Sequence, residues 1–304
     1  MNKKKYVNRN YLTTTRIIAL GFLITVIVGT ILLSLPIASA NGTWTDLLTA
    51  AFTSTTSVCV TGLVVVDTFS YWSLFGKGVI LILIQIGGLG IVSIITLFML
   101  LFRMKITLKS TMLLQDAFNL NSKQGLLKFT IKVIKGTFLI EGIGAFIYSF
   151  YYCREYGLLK GIWFSVFHAV SAFCNAGLDI MGADSLIPYH SNLLMMLNTS
   201  FLIIMGGIGF IVWWDTVEAF RRIRTKKCSI RSAWNGVHLQ TKIAIFMTLL
   251  LLIGGTVVIY FLERSNPDTL GNLSEKDRIL NAFFQSVTLR TAGFAAVPQA
   301  ALRP

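Results

Sequence analysis

The sequence predicts an all-α polytopic membrane protein, built from parallel helix–pore loop–helix repeats arranged around a central axis. Three observations predict it. The chain of 304 residues is 54% hydrophobic and only 13% charged, with a mean hydropathy of +0.70. A soluble domain would carry about 25% charged residues. One short motif recurs three times at nearly equal spacing: a phenylalanine (Phe52, Phe167, Phe283) stands ten residues before a glycine (Gly62, Gly177, Gly293). A large apolar residue (Leu63, Leu178, Phe294) follows each glycine, and the glycines are 115 and 116 residues apart. Finally, the basic residues are clustered: segments 3–16, 103–135 and 221–242 hold 19 of the 27 lysines and arginines, and 36–72 holds none.

Five stretches, 17–35, 79–102, 133–152, 193–214 and 243–262, are long enough to cross a bilayer, which takes about 20 apolar residues. The first is of full spanning length and runs to Pro36 without a cleavage signature, so a removable leader is not expected. Between the spans of each unit lies a segment too short to cross: 44–57, 159–172 and 276–288. Such a segment is tolerated at membrane depth only where protein buries it or it lines water.

Aligned on their glycines, the units occupy 1–126, 127–239 and 240–304, the last with only its first span and pore loop. By the positive-inside rule the basic clusters are cytoplasmic, and so is the N-terminus. Each unit then starts and ends inside, and all have one orientation. Parallel repeats fit an axis along the membrane normal; inverted repeats would need an odd number of spans per unit. The net charge of +14 is thus a topology signal and not a nucleic-acid surface, with anionic membrane lipid as its partner.

The second spans share a glycine cluster: Gly87, Gly88 and Gly90 match Gly206, Gly207 and Gly209. Such clusters allow close helix packing or a kink, and the two are compatible. The loops carry the chemistry. A dehydrated cation needs oxygen ligands without full charges, which backbone carbonyls supply. Turning carbonyls to one side requires backbone angles that glycine reaches at little cost, and the preceding half-helix aims its negative end at the ion. The candidate ligands are the carbonyls of Val60, Thr61, Gly62 and Leu63, of Asn175, Ala176, Gly177 and Leu178, and of Thr291, Ala292, Gly293 and Phe294.

With Val58-Cys59-Val60-Thr61-Gly62-Leu63, Ala172-Phe173-Cys174-Asn175-Ala176-Gly177-Leu178 and Arg290-Thr291-Ala292-Gly293-Phe294, the chain resembles the Trk/Ktr/HKT superfamily of potassium-uptake proteins. Within it the chain looks most like the membrane subunit of bacterial Ktr systems. The resemblance implies four units around a pseudo-fourfold pore in the bacterial plasma membrane, with Gly62, Gly177 and Gly293 as filter glycines. It implies potassium as the permeant ion, favoured by glycine rather than serine at position 62, with sodium a second candidate. It also implies a homodimer on a cytoplasmic nucleotide-binding regulatory ring, and sodium-dependent transport. The sequence departs from this pattern by ending at Pro304, eleven residues after Gly293. The third unit's second span and the whole fourth unit lie outside it, so a fragment of a longer chain is expected.

Other residues have plainer readings. Arg290 is a charge at membrane depth, which costs about 2.5–3.5 kcal/mol. It is expected to play a structural role behind the filter, with Glu141 as a candidate partner; repulsion of permeating ions is the alternative. His168 is read as a hydrogen-bonded structural histidine rather than a proton sensor. Gln85 and Asn198 are expected to bond between helices or to line the cavity. Trp44, Trp72 and Trp163 fit an interfacial belt. Cys59, Cys153, Cys174 and Cys228 have no metal-ligand spacing, so neither a disulfide nor a metal beyond potassium in the filter is expected. With no nucleophile–base pair, phosphate-binding loop or HExxH, no enzyme activity and no organic cofactor are expected. The competing readings are an ion-coupled secondary cation transporter with re-entrant loops and a non-conducting membrane scaffold.

Overall fold

The last residues of each short segment decide the architecture, because there the chain must leave a helix, reach the axis and return. The computed structural model describes residues 14–90, 93–94, 126–182, 184–226 and 229–303. Among them are eleven α-helices and no named strand. The basic cluster 103–125, most of 3–16 and Cys228 lie outside the described residues.

The first unit opens with α1 (Thr14–Ser34), an apolar helix of 21 residues, about 31 Å long at 1.5 Å per residue. Pro36 ends it in a single 3-10 turn. Asp46 then caps α2 (Leu47–Cys59), its carboxylate accepting from the amides of Leu48 and Thr49 at 3.1 and 3.4 Å, which satisfies the orphan donors of the first turn. Beyond the glycine loop come a single turn, α3 (Thr68–Tyr71), capped by Asp67, and α4 (Leu74–Leu89), capped by Ser73.

The second unit repeats this order with α5 (Leu126–Tyr156), α6 (Leu158–Cys174) and α7 (Leu193–Gly207). After it come α8 (Phe210–Lys226) and the short α9 (Ile230–Asn235). The third unit has α10 (Leu239–Glu263) and α11 (Glu275–Thr291), the latter capped by the Ser274 hydroxyl. The long helices span as predicted: Arg16–Ser34, Lys128–Tyr156 and Leu239–Glu263 are long and apolar enough to cross a membrane.

The second spans, expected at 79–102 and 193–214 with a packing contact or kink at their glycine clusters, are broken at those clusters. α7 stops at Gly207, and α8 leaves at 100° to it. Gly209, at φ +97°, makes the turn. The freed carbonyl of Met205 accepts from the indole N–H of Trp213 at 2.8 Å, so the break leaves no orphan acceptor there. In the first unit α4 stops at Leu89, with Gly90 at φ +78°; the remainder of 79–102 lies mostly outside the described residues.

α4 packs against α6, and α7 against α11. In both cases the second helix of one unit supports the short helix of the next, in the same sense. Two of the short helices are buried deeply: Phe167, Ala169 and Ala172 of α6 and Ala282, Phe284 and Val287 of α11 are all at 0% exposure. The long helices instead keep large apolar side chains on their outer faces, such as Leu23 and Ile24 of α1 and Phe246 and Ile253 of α10. An apolar exterior around a core of short, partly polar helices suits a bilayer, where lipid replaces water as the outer solvent. Trp44 is exposed at its helix approach, but Trp72, expected in the interfacial belt, is buried to 1% and packs edge-on against Tyr71.

Candidate functional site

Each short helix unwinds into its glycine loop through a returning amide. The N–H of Thr61 reaches the carbonyl of Thr56 at 3.1 Å, that of Ala176 the carbonyl of Ser171 at 2.8 Å, and that of Gly293 the carbonyl of Thr288 at 3.3 Å. In every unit the span of this bond is five residues. It satisfies carbonyls of the last turn and directs the loop's N–H groups back into the helix. In the first two units the residue two before the glycine is left-handed, Val60 at φ 57° and Asn175 at φ 60°. Gly62, Gly177 and Gly293 follow at φ 73°, 65° and 83°. Left-handed residues two apart bring successive carbonyls toward one side, where an extended strand would alternate them. The third unit differs: its helix runs on through Thr291 and is capped by Ala292 at φ −97°, so the glycine makes the turn alone.

The three loops meet. A Cβ placed on Gly62 would lie 2.9 Å from the carbonyl oxygen of Ala176 and 3.7 Å from that of Ala292. A Cβ on Gly177 would collide with the Ala292 carbonyl, and one on Gly293 would lie 3.8 Å from the Cα of Gly177. The fold thus gathers Gly62, Ala176, Gly177, Ala292 and Gly293 at one place from three units. A side chain is excluded at Gly62 and Gly177 by both space and backbone angle, and at Gly293 by backbone angle alone.

Hydroxyls on the last turns of the short helices hold the outer end of each loop. Thr56 accepts from the Leu63 amide at 3.0 Å and contacts the Thr61 hydroxyl at 2.7 Å. Ser171 donates to the Leu178 carbonyl, and Thr288 to the Phe294 carbonyl at 2.8 Å. The Leu178 and Phe294 carbonyls are thus each tied to the short helix of their own unit. These hydroxyls were not singled out from the sequence, although a signal exists: Thr56 and Ser171 stand six residues before their glycines and Thr288 five before its own. At the inner end the Thr291 hydroxyl donates to the Asn175 side-chain oxygen at 2.9 Å, joining neighbouring units.

The glycine clusters divide two tasks. Gly87 and Gly206 lie against the carbonyls of Val58 and Phe173, equivalent positions of their own units' short helices, and a Cβ on either would collide. Gly88 faces Cys174 of the next unit, and a Cβ on Gly207 would lie in ordinary contact with Asn175 and Thr291, 3.8 Å from both side chains. Gly90 and Gly209 have open space around them and serve the break instead.

The expected ion pair between Glu141 and Arg290 is not formed. The Glu141 carboxylate accepts from the Gln85 side-chain amide at 3.1 and 3.3 Å and from the Cys174 thiol at 3.9 Å. It thereby joins the second helix of unit one to the filter end of unit two. Arg290 instead donates to the Thr248 hydroxyl of α10 at 3.5 Å. The reason is geometric: Glu141 sits at the seam of units one and two, whereas Arg290 turns toward its own unit's first span. Asn198 bonds between helices as expected, to the Gly144 carbonyl at 3.1 Å. His168 does not make the hydrogen bonds expected of it. It is buried among rings, its centroid 4.9 Å from those of Tyr148 and Phe294, and neither ring nitrogen has a partner among the described residues.

A cavity of about 510 Å³ beside the converging loops is lined by Gly62, Gly177, Gly293, Asp67 and Asp179. Burial raises the Asp179 carboxyl above its usual range, against hydrogen bonds from Ser185 and the Met181 amide. Burial also acts to raise Asp67, but hydrogen bonds from Ser70 and Phe69 outweigh it and hold this carboxyl low. Among the described residues there is no cluster of histidine, cysteine and carboxylate side chains able to hold a metal ion.

Comparison with known proteins agrees with this geometry. The TrkH family, described as a cation transport protein, matches residues 3–304. The potassium/sodium uptake protein NtpJ of Enterococcus hirae is 40% identical over 289 residues, covering 95% of this chain and 61% of that protein. The Ktr system potassium uptake protein B of Bacillus subtilis is 37% identical over 304 residues, covering 100% of the chain and 65% of the relative. Its namesake in Vibrio alginolyticus is 35% identical over 282 residues, covering 93% and 59%. The chain therefore spans less than two thirds of the length of these relatives. An all-α, multi-pass membrane protein with three converging glycine loops, the chain belongs to the TrkH family of cation transport proteins, a family of transporters and not of enzymes.

Proposed function

We propose that this chain supplies three of the pore loops of a potassium-translocating subunit in a Ktr/Trk-type uptake system. One observation carries the reading: three loops, each with a glycine at positive φ, converge on one place, and a side chain at Gly62 or Gly177 would run into the carbonyl of a neighbouring loop. Selection then rests on the backbone carbonyls at Val60, Thr61, Gly62 and Leu63 and their counterparts Asn175, Ala176, Gly177 and Leu178, and Thr291, Ala292, Gly293 and Phe294, replacing water around a dehydrated cation. The short helices point their negative ends at the same place.

Potassium is the transported ion. The name of the Enterococcus relative supports sodium as a second permeant ion. The repeat bounds 1–126, 127–239 and 240–304 and a cytoplasmic N-terminus belong to the same reading. So do the bacterial plasma membrane, a homodimer, a cytoplasmic nucleotide-binding ring and sodium dependence, which rest on family resemblance.

The test is potassium against sodium flux in proteoliposomes, using the full-length polypeptide that carries this sequence. The parent is expected to pass potassium selectively, and Gly177→Ser to lose that selectivity by about tenfold or more, a change of about 1.4 kcal/mol in relative barrier. Equal selectivity in parent and variant would remove the filter assignment. Saturable flux with a fixed ion stoichiometry would favour an ion-coupled secondary transporter instead.

A further inference from the structure

Serine and threonine hydroxyls on a helix ordinarily bond the carbonyl four residues back. The neighbours of the filter do so: Thr55 bonds Ala51, Ser57 bonds Thr53, and Ser165 bonds Gly161, all at 2.7 Å. Thr56, Ser171 and Thr288 behave otherwise. Each reaches forward, out of its helix, to the residue immediately after the filter glycine. All three side chains are buried, at 3%, 0% and 2% exposure, so the forward bond is made away from competing solvent. The forward bond also closes each loop into a ring with the returning amide. The glycine is thus held from both sides, by its own loop's N–H on one and a side-chain hydroxyl on the other.

The three ties are not equivalent. In the second and third units the hydroxyl donates to the carbonyl after the glycine, and the side chains of Leu178 and Phe294 are buried. In the first unit the hydroxyl instead accepts from the amide of Leu63. An amide drawn inward turns its residue the opposite way from a carbonyl drawn inward. The first loop therefore presents a different outer end from the other two.

We propose that Thr56, Ser171 and Thr288 are positioning residues for potassium selection, their hydroxyls fixing the residue after each filter glycine and thereby the spacing of the glycine carbonyls. This rests on the reading of the loops as a potassium filter. A filter that selects by carbonyl spacing needs its strands braced from behind, since a loose strand would close around a smaller ion. The brace here is a single hydroxyl per loop, and removing it frees the loop end while leaving every backbone carbonyl in place; at Thr56 it also removes the bond to the Thr61 hydroxyl.

The test compares Thr56→Val, Ser171→Ala and Thr288→Val with the rescue variants Thr56→Ser, Ser171→Thr and Thr288→Ser, all in the full-length polypeptide. Potassium and sodium flux are measured in proteoliposomes after each variant has been shown monodisperse. Hydroxyl-free variants are expected to lose at least tenfold in potassium-over-sodium discrimination while still conducting, and rescue variants to regain most of it. A merely structural hydroxyl would lower stability or total flux and leave the ion ratio alone, and that result overturns the proposal. Ser171→Cys, which fills the site with a weaker donor, decides the case if Ser171→Ala does not fold: parent-like discrimination would overturn it. A parent protein with no selectivity would instead fail the filter reading itself.

Discussion

The Thr291 hydroxyl donates to the Asn175 side-chain oxygen at 2.9 Å, joining two residues 116 apart that hold equivalent places in neighbouring loops. It is a direct polar bond between units at the inner end of the converging loops, with Gly207 beside it. Thr291→Val keeps the shape but strands a buried acceptor, at a cost of about 1–3 kcal/mol. Asn175→Gly removes the acceptor and keeps the left-handed backbone. Thermal unfolding of both singles and the double in detergent is expected to give a coupling of about 0.5–3 kcal/mol. Strict additivity would mean that the bond contributes nothing to holding the loops together.

Val60 occupies the place of Asn175 in the first loop, also left-handed. A β-branched residue there is strained by about 1–2 kcal/mol, whereas asparagine tolerates the conformation. Val60→Asn, copying the second unit, is therefore expected to raise stability by about 1 kcal/mol. An unfolding midpoint that falls instead would show that Val60 packing outweighs its strain.

Gly206 lies against the carbonyl of Phe173, and Gly254 in α10 has nothing within 4 Å of its missing side chain. Overpacking at such a contact costs about 1–3 kcal/mol. Gly206→Ala is expected to destabilise by that amount and to displace the filter end of α6, and Gly254→Ala to cost nothing. Equal midpoints for the two variants would mean that the second span does not brace its own pore helix.

Glu141 bonds Gln85, and Arg290 bonds Thr248. A double-mutant cycle of Glu141→Leu with Gln85→Leu is expected to show a coupling of about 0.5–3 kcal/mol, because each single variant leaves a buried partner unsatisfied. The cycle of Glu141→Leu with Arg290→Leu is expected to be additive within about 0.5 kcal/mol. A large coupling in the second cycle would restore the ion pair that the geometry denies.

Asp67 is held low by hydrogen bonds from Ser70 and Phe69, against the effect of burial. A carboxyl depressed in the folded state adds stability above its unfolded pKa, and that stability is lost as pH falls through the lower folded value. The outer loop is thus expected to be most stable above about pH 4 and to weaken on further acidification. Asp67→Asn should flatten that acid limb, as followed by hydrogen exchange of residues 68–71; an unaltered limb would assign it to another group.

Apolar length, basic clustering and the spacing of Gly62, Gly177 and Gly293 were sufficient to read the fold class and the three glycine loops, because bilayer thickness and backbone sterics act locally on the chain. The position of Gly209 in a cluster announced a kink but not its 100° turn, which depends on how Trp213 packs on Phe173 and takes the Met205 carbonyl. Periodicity likewise could not separate Thr56, Ser171 and Thr288 from the other hydroxyls on the same helices. Whether a hydroxyl bonds its own turn or the loop beyond depends on where the loop returns. Nor could it choose a partner for Glu141 among polar residues at similar membrane depth. Sequence by itself determined what enters the membrane and where the chain must bend. Only the tertiary structure decided which polar groups meet, because partners 50 to 116 residues apart are selected by the packing of one unit against the next.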